Sequence, residues 1–285
     1  MHALSPSFEP EPGTKRDRQR RNRHSESRIG APESDLGRGV GYTRALMAGV
    51  NDRLRVLVTG AGGATGSVVT ARLGERWRLR ATDLRPGPGI DELDITDADA
   101  CRAAFTGLDA VVHLAGNPDP SANWSQLYGP NIAGAYVVAA AARDCAVPRL
   151  VLASSQQAVS AYPEPFQRRA EDPARPANLY GATKAWAEGL GSWVAASSET
   201  TVVALRIGHF SEQPPVLGEG SPRNMAAWLS HRDCTDLVRA SVEADVRGLI
   251  VVNGISANRH RHATLGEAEA LLGYEPVDDA WATPD

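Results

Sequence analysis

The chain carries only three cysteines in 285 residues, Cys101, Cys145 and Cys234, and no pair of them has metal-ligand spacing. So few, and odd in number, they argue against a disulfide framework and predict reduced thiols in a cytoplasmic protein. No run of 18 uninterrupted apolar residues occurs, so no helical membrane span is expected. The polar, basic N-terminus lacks the apolar core of a secretory signal. Neither sign of charge dominates. A formal net charge of -4 gives no reason to expect nucleic acid or an anionic membrane as partner. What remains is a globular composition, with 27 Gly and 19 Pro to punctuate its elements.

Residues 1 to 50 are rich in Arg, Ser, Pro, Gly and Glu and poor in core-forming side chains. Such a segment buries too little apolar surface to offset its ordering entropy, so it is expected to be disordered. The basic run from Lys15 to Arg23 reads as a solvated tail, and Met47 is a candidate native start. From Leu54 the pattern changes. Strands are expected at 54–59, 79–82, 92–94, 110–114, 149–153 and 202–207, with helices at 66–74, 98–105, 131–146 and 179–197 between them. Such alternation predicts an α/β chain: a doubly wound parallel-sheet Rossmann fold over residues 51–207. Residues 208–285 are expected to form a small substrate-binding portion, with 231–258 packing back on the sheet. Within it lie a Pro- and Gly-rich loop at 210–224, a helix at 233–244, a strand at 249–252 and a last helix at 265–272. So small a portion implies a small substrate.

The first strand runs into TGAGGATG, which puts Gly60, Gly63 and Gly66 at a turn and helix start, with Ala64 and Thr65 between them. Glycines there let the backbone approach a pyrophosphate, and the helix N-terminus offers free N–H groups. The second strand ends at Asp83, 17 residues after Gly66, where a carboxylate accepts hydrogen bonds from the adenosine ribose. The same charge repels the 2′-phosphate of NADP, so the expected cofactor is NAD.

Tyr180 and Lys184 lie at i and i+4 on one expected helix face. A free Tyr titrates near 10 and is a poor base, but a Lys cation about 4 Å away supplies up to roughly 4 kcal/mol toward ionising it. Ser154 and Ser155 end the fifth strand, where open α/β sheets bind ligands. Ser155 is the expected partner of the reacting oxygen.

Together with Asp94-Ile95, His113-Leu114-Ala115 and Asn131, these residues resemble the extended short-chain dehydrogenase/reductase family over about residues 54–275. The resemblance implies that Asp94 and Ile95 hold adenine and that Leu114, Ala115, Gly116, Asn131 and Ile207 line the cofactor. It also implies Tyr180 as catalytic base and Lys184 as holder of the nicotinamide ribose. Segments such as LVLASSQQAVSAYP, ARPANLYGATKAWAE and VVNGISAN are similar to uronate dehydrogenases, which oxidise the C1 hydroxyl of a cyclic hexuronate to a lactone with NAD. That likeness implies Arg223 as the carboxylate-binding residue, with Gln156, Gln157 and His209 also at the substrate. The chain departs from that pattern at the last three, and again at Arg259-His260-Arg261-His262, which reads as a solvated basic loop and not a metal site. A homodimer through the helices at 131–146 and 179–197 is also implied. Two other readings stay open. A nucleotide-sugar epimerase, dehydratase or reductase needs a larger cap, and NAD(P)-sensing regulators often lack the Tyr–Lys pair that this chain keeps.

Overall fold

In the computed structural model, residues 53–216 and 222–282 are described. The segment expected to be disordered, including the basic run and Met47, lies outside them. At the centre is β1 (Arg55–Thr59), whose Val56, Leu57 and Val58 have no exposed surface. A strand buried on both faces reads as a continuous apolar run, which explains why this segment is so legible. It pairs in parallel with β2 (Arg78–Asp83) on one side and β4 (Ala110–His113) on the other. Beyond β2 lies the short β3 (Ile90–Glu92). Beyond β4 come β5 (Arg149–Ser155), β6 (Thr201–Ile207) and, returning from the C-terminal part, β9 (Leu249–Gly254). All seven strands are parallel, in the order β3-β2-β1-β4-β5-β6-β9. The winding reverses between β1 and β4, which opens a crevice at their carboxyl ends.

Alternate side chains divide the core into two layers. Val56, Val58, Val112 and Leu205 face α1 (Ala64–Leu73), α7 (His231–Glu243) and α8 (Gly266–Leu272). Leu57, Val111, Leu152 and Ala204 face α2 (Ala98–Phe105), α4 (Ala135–Asp144) and α5 (Leu179–Ser197). Helix starts follow local chemistry. Asp97, Asn178 and Ser230 cap α2, α5 and α7 by accepting backbone N–H groups.

Two expectations need correction. The helix expected to begin at Asn131 is preceded by a short α3 (Trp124–Leu127) and a π-helical turn over Tyr128–Gly134, before α4 continues. Pro130 has no N–H to give the ladder, and its turn is wound wider than the α-helix that follows. Second, the segment 210–224 is not all loop. A parallel pair, β7 (His209–Phe210) with β8 (Trp228–Leu229), and α6 (Pro222–Ala226) flank it. Gly208 permits that pairing, since a Cβ there would lie 1.9 Å from the Ala227 carbonyl oxygen.

Candidate active site

The glycine turn after β1 is built by close backbone approach. Gly60 has a left-handed φ of +73°, and a Cβ on it would lie 2.5 Å from the Ala115 nitrogen. A Cβ on Gly66 would lie 2.1 Å from the Gly60 carbonyl oxygen. Gly63 precedes α1 as a cap without a side chain, and no acidic residue occupies the first turn, formed from Ala64 and Thr65 onward. The helix therefore presents its N–H groups and partial positive charge uncompensated by side chains. Asp83 stands against this turn, its Oδ2 accepting from the Gly62 N–H at 3.0 Å. Glycine backbone, helix N-terminus and half-buried carboxylate suit the pyrophosphate and ribose of NAD.

Beyond Asp83 the two residues assigned to adenine differ. Asp94 is exposed and accepts from the Thr96 N–H and hydroxyl at 2.8 and 2.7 Å, whereas Ile95 is buried against Gly134. After β4, Leu114 and Gly116 line a cavity of about 520 Å³, while Ala115 packs over Gly60. Asn131 is buried and does not line that cavity. Its amide donates to the Asn117 carbonyl and the Thr183 hydroxyl, and its Oδ1 accepts from the Asn117 N–H at 2.8 Å. It ties the chain after Gly116 to α5.

The same cavity receives Thr65, Ser155, Tyr180, Lys184 and Ile207. Three i, i+4 positions of α5, Tyr180, Lys184 and Glu188, face the sheet. Glu188 and Arg206 form a buried two-pronged ion pair, with Nε and Nη2 each 2.9 Å from a carboxylate oxygen. Ser154 also lines the cavity, but its hydroxyl is committed to Glu188, to which it donates at 2.6 Å. Ser155 is left for the cavity. Its Oγ accepts from the Gln157 N–H at 3.1 Å, and it hydrogen-bonds the Tyr180 phenol.

Lys184 does not act on Tyr180 as expected. Its Nζ donates to the Ala153 carbonyl at 2.8 Å and lies 5.6 Å from the Tyr180 ring centre. Burial raises the phenol above its ordinary value, opposed only by the Ser155 hydrogen bond. Burial also pulls the Lys184 ammonium down to about 8. The physical reason is desolvation: both groups sit behind protein, and the ammonium is spent on a carbonyl. The positive charge of an oxidised nicotinamide is the remaining influence that would favour phenolate.

At the substrate end, Gln156, Gln157, His209 and Arg223 all line the cavity. Gln156 is half committed: its Nε2 donates to the Arg206 carbonyl and to Asn253, while its buried Oε1 has no partner among the described residues. Gln157 accepts from Asn178 through Oε1 at 2.9 Å. Arg223 donates through Nη2 to the Ser160 carbonyl at 2.8 Å. A second arginine, Arg168, lines the cavity too and was not anticipated. It belongs to an irregular segment with no periodicity, so no sequence signal marks it.

Comparisons with known proteins place the chain among relatives of this fold. The NAD dependent epimerase/dehydratase family matches residues 56–232. An NAD-dependent glucose-6-phosphate dehydrogenase of Haloferax volcanii is 35% identical, covering 79% of this chain and 94% of that protein. A uronate dehydrogenase of Agrobacterium fabrum is 35% identical, covering 80% and 86%. Among solved structures, a uronate dehydrogenase mutant from Agrobacterium tumefaciens complexed with NAD superposes with a TM-score of 0.73 at 34% identity, covering 80% and 86%. The chain belongs to the NAD dependent epimerase/dehydratase family and is an NAD-dependent dehydrogenase with a Rossmann fold.

Proposed function

We propose that this enzyme oxidises the C1 hydroxyl of a small cyclic sugar acid, a hexuronate, to the lactone. The observation that carries the reading is one cavity lined by Tyr180, Ser155 and Lys184 and also by Arg223. In this reading Gly60, Gly63, Ala64, Thr65 and Gly66 hold the NAD pyrophosphate, and Asp83 holds the adenosine ribose. Asp94 and Ile95 take the adenine. Leu114, Ala115, Gly116 and Ile207 flank the nicotinamide half, Asn131 supports the chain after Gly116 from behind, and Lys184 holds the nicotinamide ribose. When bound, NAD supplies the acceptor for the hydride that leaves C1.

The chain's own residues handle the proton and the position. Tyr180 Oη receives the C1 hydroxyl proton as the carbonyl forms, and Ser155 Oγ donates a hydrogen bond to the developing carbonyl oxygen. Arg223 pairs with the substrate carboxylate, for which a guanidinium fork is suited. Gln156, Gln157 and His209 flank the sugar hydroxyls. Removing the tumble of the sugar between these anchors contributes part of the rate.

The partner surface in this reading is a second copy of the chain. Trp124, Tyr128, Tyr136 and Trp186 are each at least 42% exposed, on α3, α5 and the turn and helix between them. Such clustered apolar exposure supports that reading. A cytoplasmic site suits three unpaired thiols, and no helix among the described residues is long and apolar enough to cross a membrane. The test is NAD reduction by purified enzyme over a panel of hexuronates, with the lactone identified by NMR. No turnover with any of them would end this version of the reading.

A further inference from the structure

The cavity holds a buried cation for which the reaction above has no role. Arg168 is only 5% exposed, yet it lines the cavity together with Arg223. Its backbone is fixed by a β-bridge to Ala263, and its N–H and Nε both donate to the His262 carbonyl, at 2.9 and 3.2 Å. Among the described residues, nothing accepts from its Nη1 or Nη2. Burial and the nearby charge of Arg223 both disfavour its charged form, while the exposed Glu164 opposes them. Arg223 is itself oriented by Ser160, so both guanidiniums are held in place before any ligand arrives.

A buried guanidinium without a paired anion is costly, and the charge of the half-buried Arg223 nearby adds to that cost. One carboxylate brings a single negative charge to this pair. A phosphate monoester brings about two charges at neutral pH and three strong acceptor oxygens, enough for both forks. We propose that Arg168 and Arg223 form a single two-guanidinium subsite, and that the enzyme binds a small sugar bearing a phosphate monoester more tightly than the corresponding hexuronate. This rests on the sugar-dehydrogenase reading of the same cavity and names the charge class of its substrate. Arg168 is the specificity-determining member, since Arg223 alone already satisfies a carboxylate.

The test is calorimetric titration of the NAD-saturated full chain with glucose 6-phosphate, glucuronate and glucose. Wild type is expected to bind glucose 6-phosphate about tenfold or more tighter than glucuronate, the effect of one charge-assisted hydrogen-bond set. Arg168→Gln is expected to erase that preference while changing glucuronate affinity by less than about threefold, and Arg168→Lys to restore part of it. Equal or weaker wild-type binding of the phosphate sugar overturns the proposal, and this comparison needs no variant to fold. So does an Arg168→Gln protein, folded by circular dichroism, that keeps the full preference. Turnover is scored separately: failure of every sugar to reduce NAD sinks the dehydrogenase reading, while the binding series still decides the subsite.

Discussion

Gly181 lies so close to the Gln157 carbonyl that a Cβ on it would be 2.3 Å from the oxygen. This contact presses the first turn of α5 onto the turn that follows Ser155, and so brings Tyr180 beside Ser155. Gly181→Ala must push the helix away from backbone that has little freedom to yield. We expect kcat to fall by about 10- to 100-fold, as near-attack geometry is lost, with NAD affinity nearly unchanged. Steady-state kinetics beside NAD titration checks this, and unchanged kcat would show that the contact does not set the geometry.

The glycine turn makes a graded prediction. Gly66→Ala places a Cβ 2.1 Å from the Gly60 carbonyl oxygen, whereas Gly63→Ala meets its nearest atom, the same oxygen, at 3.3 Å. The first should abolish NAD binding and lower stability by about 1–3 kcal/mol, the usual range for overpacking. The second should bind NAD with a modest loss. Equal behaviour of the two variants in a thermal-shift titration with NAD would contradict this.

The fold was largely legible because strands buried on both faces read as unbroken apolar runs, as at Leu54–Thr59 and Ala110–His113. The glycine turn and the Tyr180–Lys184 spacing were visible for a similar reason, since both depend on local periodicity. What depends on tertiary surroundings was not. The ionisation of Tyr180 was misjudged because sequence spacing shows the proximity of Lys184 but not the Ala153 carbonyl that engages it. Arg168 was missed because it enters the cavity from an irregular loop, and the π-helical turn because its wide winding leaves no periodic mark.

Glu188 is predicted to anchor α5 to the sheet through its buried pair with Arg206. Arg206 and Glu188 are 3% and 9% exposed, and Arg206 also donates to the carbonyls of Arg169 and Asp172. Glu188→Ala strands a buried cation and should lower stability by about 3–5 kcal/mol. Urea denaturation measures it. A loss below about 1 kcal/mol would mean that the pair is accessible to water.

His113 should make the protein acid-sensitive. Burial, aided by the Lys184 charge, pulls its pKa from 6.5 to about 3, and its Nδ1 lies 2.8 Å from the Thr59 hydroxyl. The unfolded chain therefore takes up a proton that the native state refuses. Stability that is complete above pH 6.5 falls as the pH drops from there toward 3, by at most about 5 kcal/mol. Urea midpoints for wild type and His113→Asn across this range should converge as the pH falls. Parallel curves would assign the acid loss to other groups.

The central claim is that Tyr180 moves the proton in an NAD-linked oxidation of a sugar. Its most direct measurement is kcat for NAD reduction by wild type and Tyr180→Phe with the best hexuronate or sugar phosphate, beside the NAD dissociation constant of each. The account predicts a fall in kcat of about 10²- to 10⁴-fold with NAD binding retained. Undiminished turnover by Tyr180→Phe would contradict it.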